Sequence, residues 1–289
     1  MKKKLLGVIM VISLLLGGCF KSDTMENINI ITTSYPIKYI VNALYSNHAK
    51  SINSIYPADV DIYDYKLNNK QLKDYSSNDM FIYNGTSNEP EYAINLLNLN
   101  KDIKIVDGAK GMEYNYGMEE LWLDPFNFLM LAQNIKNGFK GYVKDPYLQD
   151  EIEKKYDELN INVSQLDVSY KEISENAVNK TIVVQDDVWK FLEKYEINVI
   201  SLENESELSN KVLSDVKSMI NDGIIEYIFI NDNQQANKTV QSLLDNNENL
   251  KKESLNSLSN LSDEDESEGL DYINIMNSNI EKLRKELYK

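Results

Sequence analysis

The sequence predicts an α/β fold: two similar α/β lobes with parallel sheets, joined by a long rigid helix, with a ligand cleft between the lobes. Three observations predict it. Short β-branched runs alternate with segments whose apolar residues recur every three or four positions. That alternation occurs in two blocks, over residues 28–143 and again over 176–289. Between them, over 144–175, one apolar stripe keeps to a single face for many turns. Strand, helix, strand at this spacing builds parallel sheets. Two lobes so built bind ligands in the groove where they meet.

The elements follow in order. Asn29-Ile30-Ile31-Thr32-Thr33 is β-branched and reads as a buried strand. Tyr35-Pro36 opens a helix, with Ile37, Ile40, Val41 and Leu44 on one face. Residues 51–56 read as a second strand and 67–75 as a short helix. Met80-Phe81-Ile82-Tyr83-Asn84-Gly85 is a strand ending at a glycine turn, and residues 103–108 repeat that pattern. Asp124 is the expected N-cap of a helix starting at Pro125 and running through Phe128, Leu131, Ala132 and Ile135. Asp145-Pro146 starts the long helix, whose stripe is Leu148, Ile152, Tyr156, Leu159, Val163, Leu166, Tyr170 and Ile173. In the second block, 180–184, 198–202 and 227–230 read as strands, and 188–195 and 208–221 as helices. An amphipathic helix through Tyr272, Ile275, Met276, Ile280, Leu283 and Leu287 closes the chain.

The first residues carry a different signal. Lys2, Lys3 and Lys4 precede an apolar run over 5–16, then Gly17-Gly18-Cys19. A basic start, a short apolar middle and small residues describe a secretory signal peptide over 1–18. The run is too short for a finished membrane span. Leu16-Gly17-Gly18-Cys19 resembles the bacterial lipobox, so Cys19, the sole cysteine, is the expected lipidation site. Buried acyl methylenes contribute about 0.8 kcal/mol each, and two or three chains anchor a body firmly. Residues 19–27 then form a tether, and the protein sits outside the cytoplasm on the bacterial cell membrane.

Of the 289 residues 42% are hydrophobic, enough for a packed core. The formal charge of −16 becomes −19 once the three lysines leave with the signal peptide. Such a body repels phosphate backbones, so nucleic acid is not an expected partner. Nothing in the composition demands an oligomer, and a monomer is expected.

Several segments resemble the solute-binding proteins of ABC importers for zinc and manganese. Thr32-Thr33-Ser34-Tyr35-Pro36 looks like that family's opening strand and turn, and Asp61-Ile62-Tyr63-Asp64-Tyr65 like its Asp-Pro-His-Asp-Tyr element. Trp122-Leu123-Asp124-Pro125-Phe126-Asn127 matches its Trp-Leu-Asp-Pro-x-Asn signature. Leu255-Asn256-Ser257-Leu258 resembles its Leu-Asn-Pro-Leu, and residues 271–279 match its last helix. The resemblance implies a metal in the cleft and, as partners, an ABC permease with its ATPase subunit. It implies no enzymatic step. Its cargo would be a transported divalent cation, Mn²⁺ or Zn²⁺.

The ligand positions depart from that pattern. Where the family places three histidines, this chain aligns Tyr63, Glu120 and Asp186. The fourth ligand aligns with Ser259, or with Glu253 in an alternative alignment. The single histidine, His48, falls away from the cleft and reads as a surface residue. Tight zinc sites use imidazole or thiolate, and what remains here is oxygen, which suits harder cations such as Mn²⁺, Ca²⁺ or Mg²⁺. Three readings stay open: a hard cation, an organic cation stacked on Tyr63 or Tyr65, or a cleft that has lost its ligand. The last would make the chain a divergent surface lipoprotein acting in adhesion. An enzyme ranks behind these, because nothing specifies a nucleophile. The acidic run Asp263-Glu264-Asp265-Glu266 lacks the glycine and terminal glutamate of a calcium loop and reads as a solvated loop.

Overall fold

The computed structural model describes residues 24–289 except 58, 59, 61, 86, 87, 205–208 and 260. Cys19, the leader and most of the tether lie outside the described residues, as does Asp61. The first sheet uses β1 (Ile28–Thr32), β2 (Ala49–Ser54), β3 (Met80–Tyr83) and β4 (Lys104–Asp107) in the parallel order β2-β1-β3-β4. Ile30 pairs with Ile52 on one side and Met80 on the other. Ile30 and Ile31 point to opposite faces of the sheet, yet both are buried. That requires cover on both faces, as parallel sheets have. The cover includes α1 (Tyr35–Tyr45), α2 (Asn69–Tyr75) and α3 (Glu89–Leu99). Asn68 caps α2 with Gln71 as reciprocal partner.

After β4 the chain makes the short α4 (Glu120–Leu123), α5 (Pro125–Tyr142) and the long α6 (Pro146–Glu175). Asp124 and Asp145 each accept from a backbone N–H in the first turn of α5 and α6, which satisfies donors the helix itself leaves open. All of the predicted α6 stripe is buried except Tyr156, which is partly covered. Lys136 of α5 lies 4.0 Å from the Tyr156 ring centroid.

The second sheet repeats the first. Its strands are β5 (Thr181–Val184), β6 (Asn198–Ser201), β7 (Tyr227–Asn231) and β8 (Lys251–Leu255), in the parallel order β6-β5-β7-β8. Around it lie α7 (Asn210–Asn221), α8 (Lys238–Asp245), the one-turn α9 (Asp263–Ser267) and α10 (Tyr272–Leu287). The segment 187–195 is a 3₁₀ helix. Its buried Trp189, Leu192 and Tyr195 recur every third residue, and a 3.0-residue turn aligns them on one side.

Several features differ from expectation. The helices α3 and α8 and the strand β8 are additional to the expected elements. The acidic run is not a loop: Ser262 caps it, with Asp265 as reciprocal partner, and it folds as α9. Met25, within the expected tether, is buried, and its carbonyl accepts from Tyr45 Oη. His48 is half-buried, with Nε2 3.1 Å from Glu151.

The main core runs through both lobes, and a second, smaller cluster around Val183, Ile228 and Ile230 belongs to the second lobe alone. α6 packs against α1, α5, α10 and the 3₁₀ helix. Trp122 Nε1 donates to Ser257 O at 2.8 Å, and Tyr272 Oη donates to Trp122 O at 2.7 Å. Phe128 and Tyr272 stack with centroids 3.9 Å apart. Lys194 pairs with Asp124, and Lys38 with Glu266 at 2.7 Å.

Candidate solute cavity

The C-terminal ends of parallel strands carry open loops, and ligands of α/β sheets bind there. Here the loops of both sheets converge on one cavity of about 580 Å³. Val60, Ile62 and Tyr63 come from the loop after β2, and Glu119 from the segment before α4. The second lobe brings Asp232, Asn233 and Gln234 after β7, then Asn256, Ser257 and Ser259 after β8. Leu261, Ser262 and Asp265 close one side.

The β8 loop has a demanding shape. Leu258 takes φ 57°, in the left-handed region, while its side chain is fully buried. That conformation costs a non-glycine residue roughly 1 kcal/mol. Asn256 Oδ1 accepts from Leu258 N at 2.8 Å, and buried Asn279 bonds both N and O of Asn256. The loop is thus held from α10, with Ser257 and Ser259 Oγ 3.2 Å apart on the cavity wall.

The sequence-predicted residues separate. Tyr63 and Ser259 line the cavity. Tyr63 Oη donates to Glu119 Oε2, and its ring is half exposed. Loss of water around the hydroxyl, and then the Glu119 charge, push the Tyr63 pKa well up. Asp186 follows β5 and is 8% exposed. Burial raises its pKa from 3.8 to about 6, against the hydrogen bond from Gln234, while Glu203 and Glu119 add repulsion. Asp186 Oδ2 is buried and has no hydrogen-bond partner. Gln234 and Glu119 both line the cavity, so Asp186, itself outside the lining, interacts with two residues of the wall.

Glu120 is not among the lining residues. Its Oε2 accepts from Asn115 N at 2.9 Å and Tyr116 N at 3.0 Å, which fixes the loop ahead of α4. Its neighbour Glu119 lines the cavity instead. Glu253 lies on β8 and pairs with Lys285 at 2.8 Å, outside the lining. Sequence reasoning missed Glu119, Asp232 and Asp265. For Asp232 a signal existed, because it directly follows the strand ending at Asn231. Burial raises the Asp232 pKa, opposed by N–H donors from Ser257 and Asn233. Among the described residues no three His, Cys, Asp or Glu side chains stand close enough together to hold a metal ion. Among the described residues no helix is long and apolar enough to cross a membrane.

Two parallel α/β lobes on a shared helix, with one polar cavity lined from both, define a two-lobed binding-protein architecture. Comparison with known proteins narrows the class. Residues 30–286 match the family described as zinc-uptake complex component A, periplasmic, and the chain belongs to that family. It is similar to the high-affinity zinc uptake system protein ZnuA of Bacillus subtilis strain 168, at 24% identity over 97% of this chain and 96% of the relative. It is also similar to the zinc-binding lipoprotein AdcA of Streptococcus pneumoniae R6, at 22% identity over 99% of this chain. The alignment spans only 61% of that relative's length. Among solved structures, the metal-dependent lipoprotein YcdH from Bacillus subtilis shares the fold with a TM-score of 0.74, at 22% identity, covering 91% of this chain and 100% of that one.

Proposed function

We propose that this chain is the extracytoplasmic solute-binding lipoprotein of an ABC importer, holding a cationic solute in the inter-lobe cavity. Membership of the zinc-uptake family across 30–286 supports the transport role. The observation that carries the cation is the wall itself: Glu119, Asp232 and Asp265 face the cavity, with no Lys, Arg or His lining it among the described residues. Three carboxylates on a wall whose own lining carries no basic side chain favour a positive guest. The protein performs no chemistry. It captures the solute and hands it to a permease powered by an ATPase subunit, working as a monomer.

Lipid on Cys19 would tether the body and keep it near the permease. Replacing Cys19 with Ala is expected to release the protein into the medium of a Gram-positive host. Radiolabelled palmitate incorporation, lost in the variant, checks the anchor. For the binding role, thermal unfolding of the mature chain is followed with Mn²⁺, Zn²⁺, Ca²⁺ and small amines. A ligand present at 100 times its Kd raises stability by about 2.7 kcal/mol. A flat response to every cation sinks the transport reading and favours a surface protein that kept only the fold.

A further inference from the structure

We infer that the solute is an organic cation, an amine or quaternary ammonium compound, and not a bare metal ion. The inference rests on the reading above that the cavity is the solute site. Size is the first argument. The cavity measures about 580 Å³, within the roughly 300–1,000 Å³ typical of small-molecule sites. A bare ion needs a space nearer that of one water, about 30 Å³.

The distribution of charge is the second argument. Glu119, Asp232 and Asp265 stand on three separate segments. Among the described residues, no group of three potential ligands converges on a point. A metal ion needs its donors within about 2.0–2.6 Å of one centre. Spread acceptors fit a guest whose N–H groups or diffuse charge are themselves spread. The wall is also partly apolar, through Val60, Ile62 and Leu261, and offers the half-exposed ring of Tyr63. Methylenes gain from such surface, and an ammonium gains from the face of an aromatic ring. A hydrated ion gains little from either.

A third observation is independent of the lining. Asp186 is more than nine-tenths buried, and its Oδ2 has no partner. It interacts with Gln234 and feels the charge of Glu119, both of which line the cavity. An unsatisfied buried acceptor is costly, and an N–H donor reaching past Gln234 would relieve it. The N–H of a protonated amine supplies such a donor, which ranks amines ahead of quaternary ammonium compounds.

Isothermal titration of the metal-free mature chain tests this, at constant ionic strength, with 1,4-diaminobutane, choline, arginine amide, MnCl₂ and ZnCl₂. At least one amine is expected to bind with a Kd below about 100 µM. The substitutions E119Q and D232N should each weaken it by about tenfold or more, while E253Q, outside the cavity, leaves it unchanged. Thermal unfolding of each unliganded variant separates loss of binding from loss of fold, and two cavity variants guard against one failing to fold. Saturable metal binding that E119Q and D232N weaken, with no amine bound, overturns the inference and leaves the cavity as the solute site. Failure of every probe, or amine binding indifferent to both substitutions, overturns the inference and the cavity reading together.

Discussion

Two buried carboxylates show how environment decides what an acid does. Glu286 is fully buried, yet it accepts from Glu226 N, Tyr227 N and Asn179 Nδ2 and pairs with Lys289. Its charge is satisfied, so it braces α10 against the start of β7. Glu286→Ala takes the acceptor from the Glu226 and Tyr227 N–H groups and should cost roughly 3 kcal/mol or more in urea unfolding. Asp186 is the reverse case, with one oxygen unpaired. Its carboxyl titrates at about 6 in the fold against 3.8 for the ordinary group. The folded state therefore holds the proton more tightly than the unfolded chain, and stability falls as pH rises from about 4 to about 6. Above that the penalty is constant, with a ceiling of roughly 3 kcal/mol. Asp186→Asn should raise the unliganded melting temperature at pH 7 and flatten its pH dependence over that window. A cation bound beside Asp186 favours the ionised form, so its affinity should rise over the same interval in the unsubstituted protein.

At the scale of elements, close packing does what periodicity only suggests. α5 approaches β4 at Gly138, where an added Cβ would collide with Val106 Cγ1. A helix interior normally prefers Ala to Gly, but here the methyl must displace a buried strand residue. Gly138→Ala should lose about 1–3 kcal/mol in denaturant unfolding, the opposite sign to an exposed helical glycine. α9 presents a different case. Ser262 Oγ accepts from Asp265 N, and the Asp265 carboxylate accepts from Ser262. Lys38 holds the same short helix from the other lobe through Glu266. An acidic run with no apolar face is unreadable as a helix from periodicity, and only its cap and that cross-lobe lysine account for it.

Over the whole molecule, the two sheets behave as one body because the core passes between them. Trp122, Tyr272 and Phe128 join the lobes through buried hydrogen bonds and stacking, with α6 running alongside. Calorimetry should therefore show a single cooperative unfolding transition with equal calorimetric and van't Hoff enthalpies, where independent lobes would give two. The same joints resist a hinge. Ligand should change the radius of gyration in solution scattering by less than about 1 Å, with rearrangement confined to the loop around Tyr63 and to α9.

The sequence by itself determined the strand–helix alternation, the long bridging helix and the family pattern around Trp122-Leu123-Asp124-Pro125, because each is local and periodic. It also showed that nitrogen and sulfur ligands are nearly missing, a matter of counting. Tertiary structure alone decided which acids meet. Glu119 and Glu120 are adjacent in sequence, but one lines the cavity while the other accepts two backbone N–H groups of its own loop. On so short a helical turn, a step of one residue rotates a side chain by about 100°, and no alignment of dissimilar ligands resolves that. Asp232 and Asp265 reach the same wall from separate segments. Their meeting is a property of how the lobes pack, and no local spacing records it.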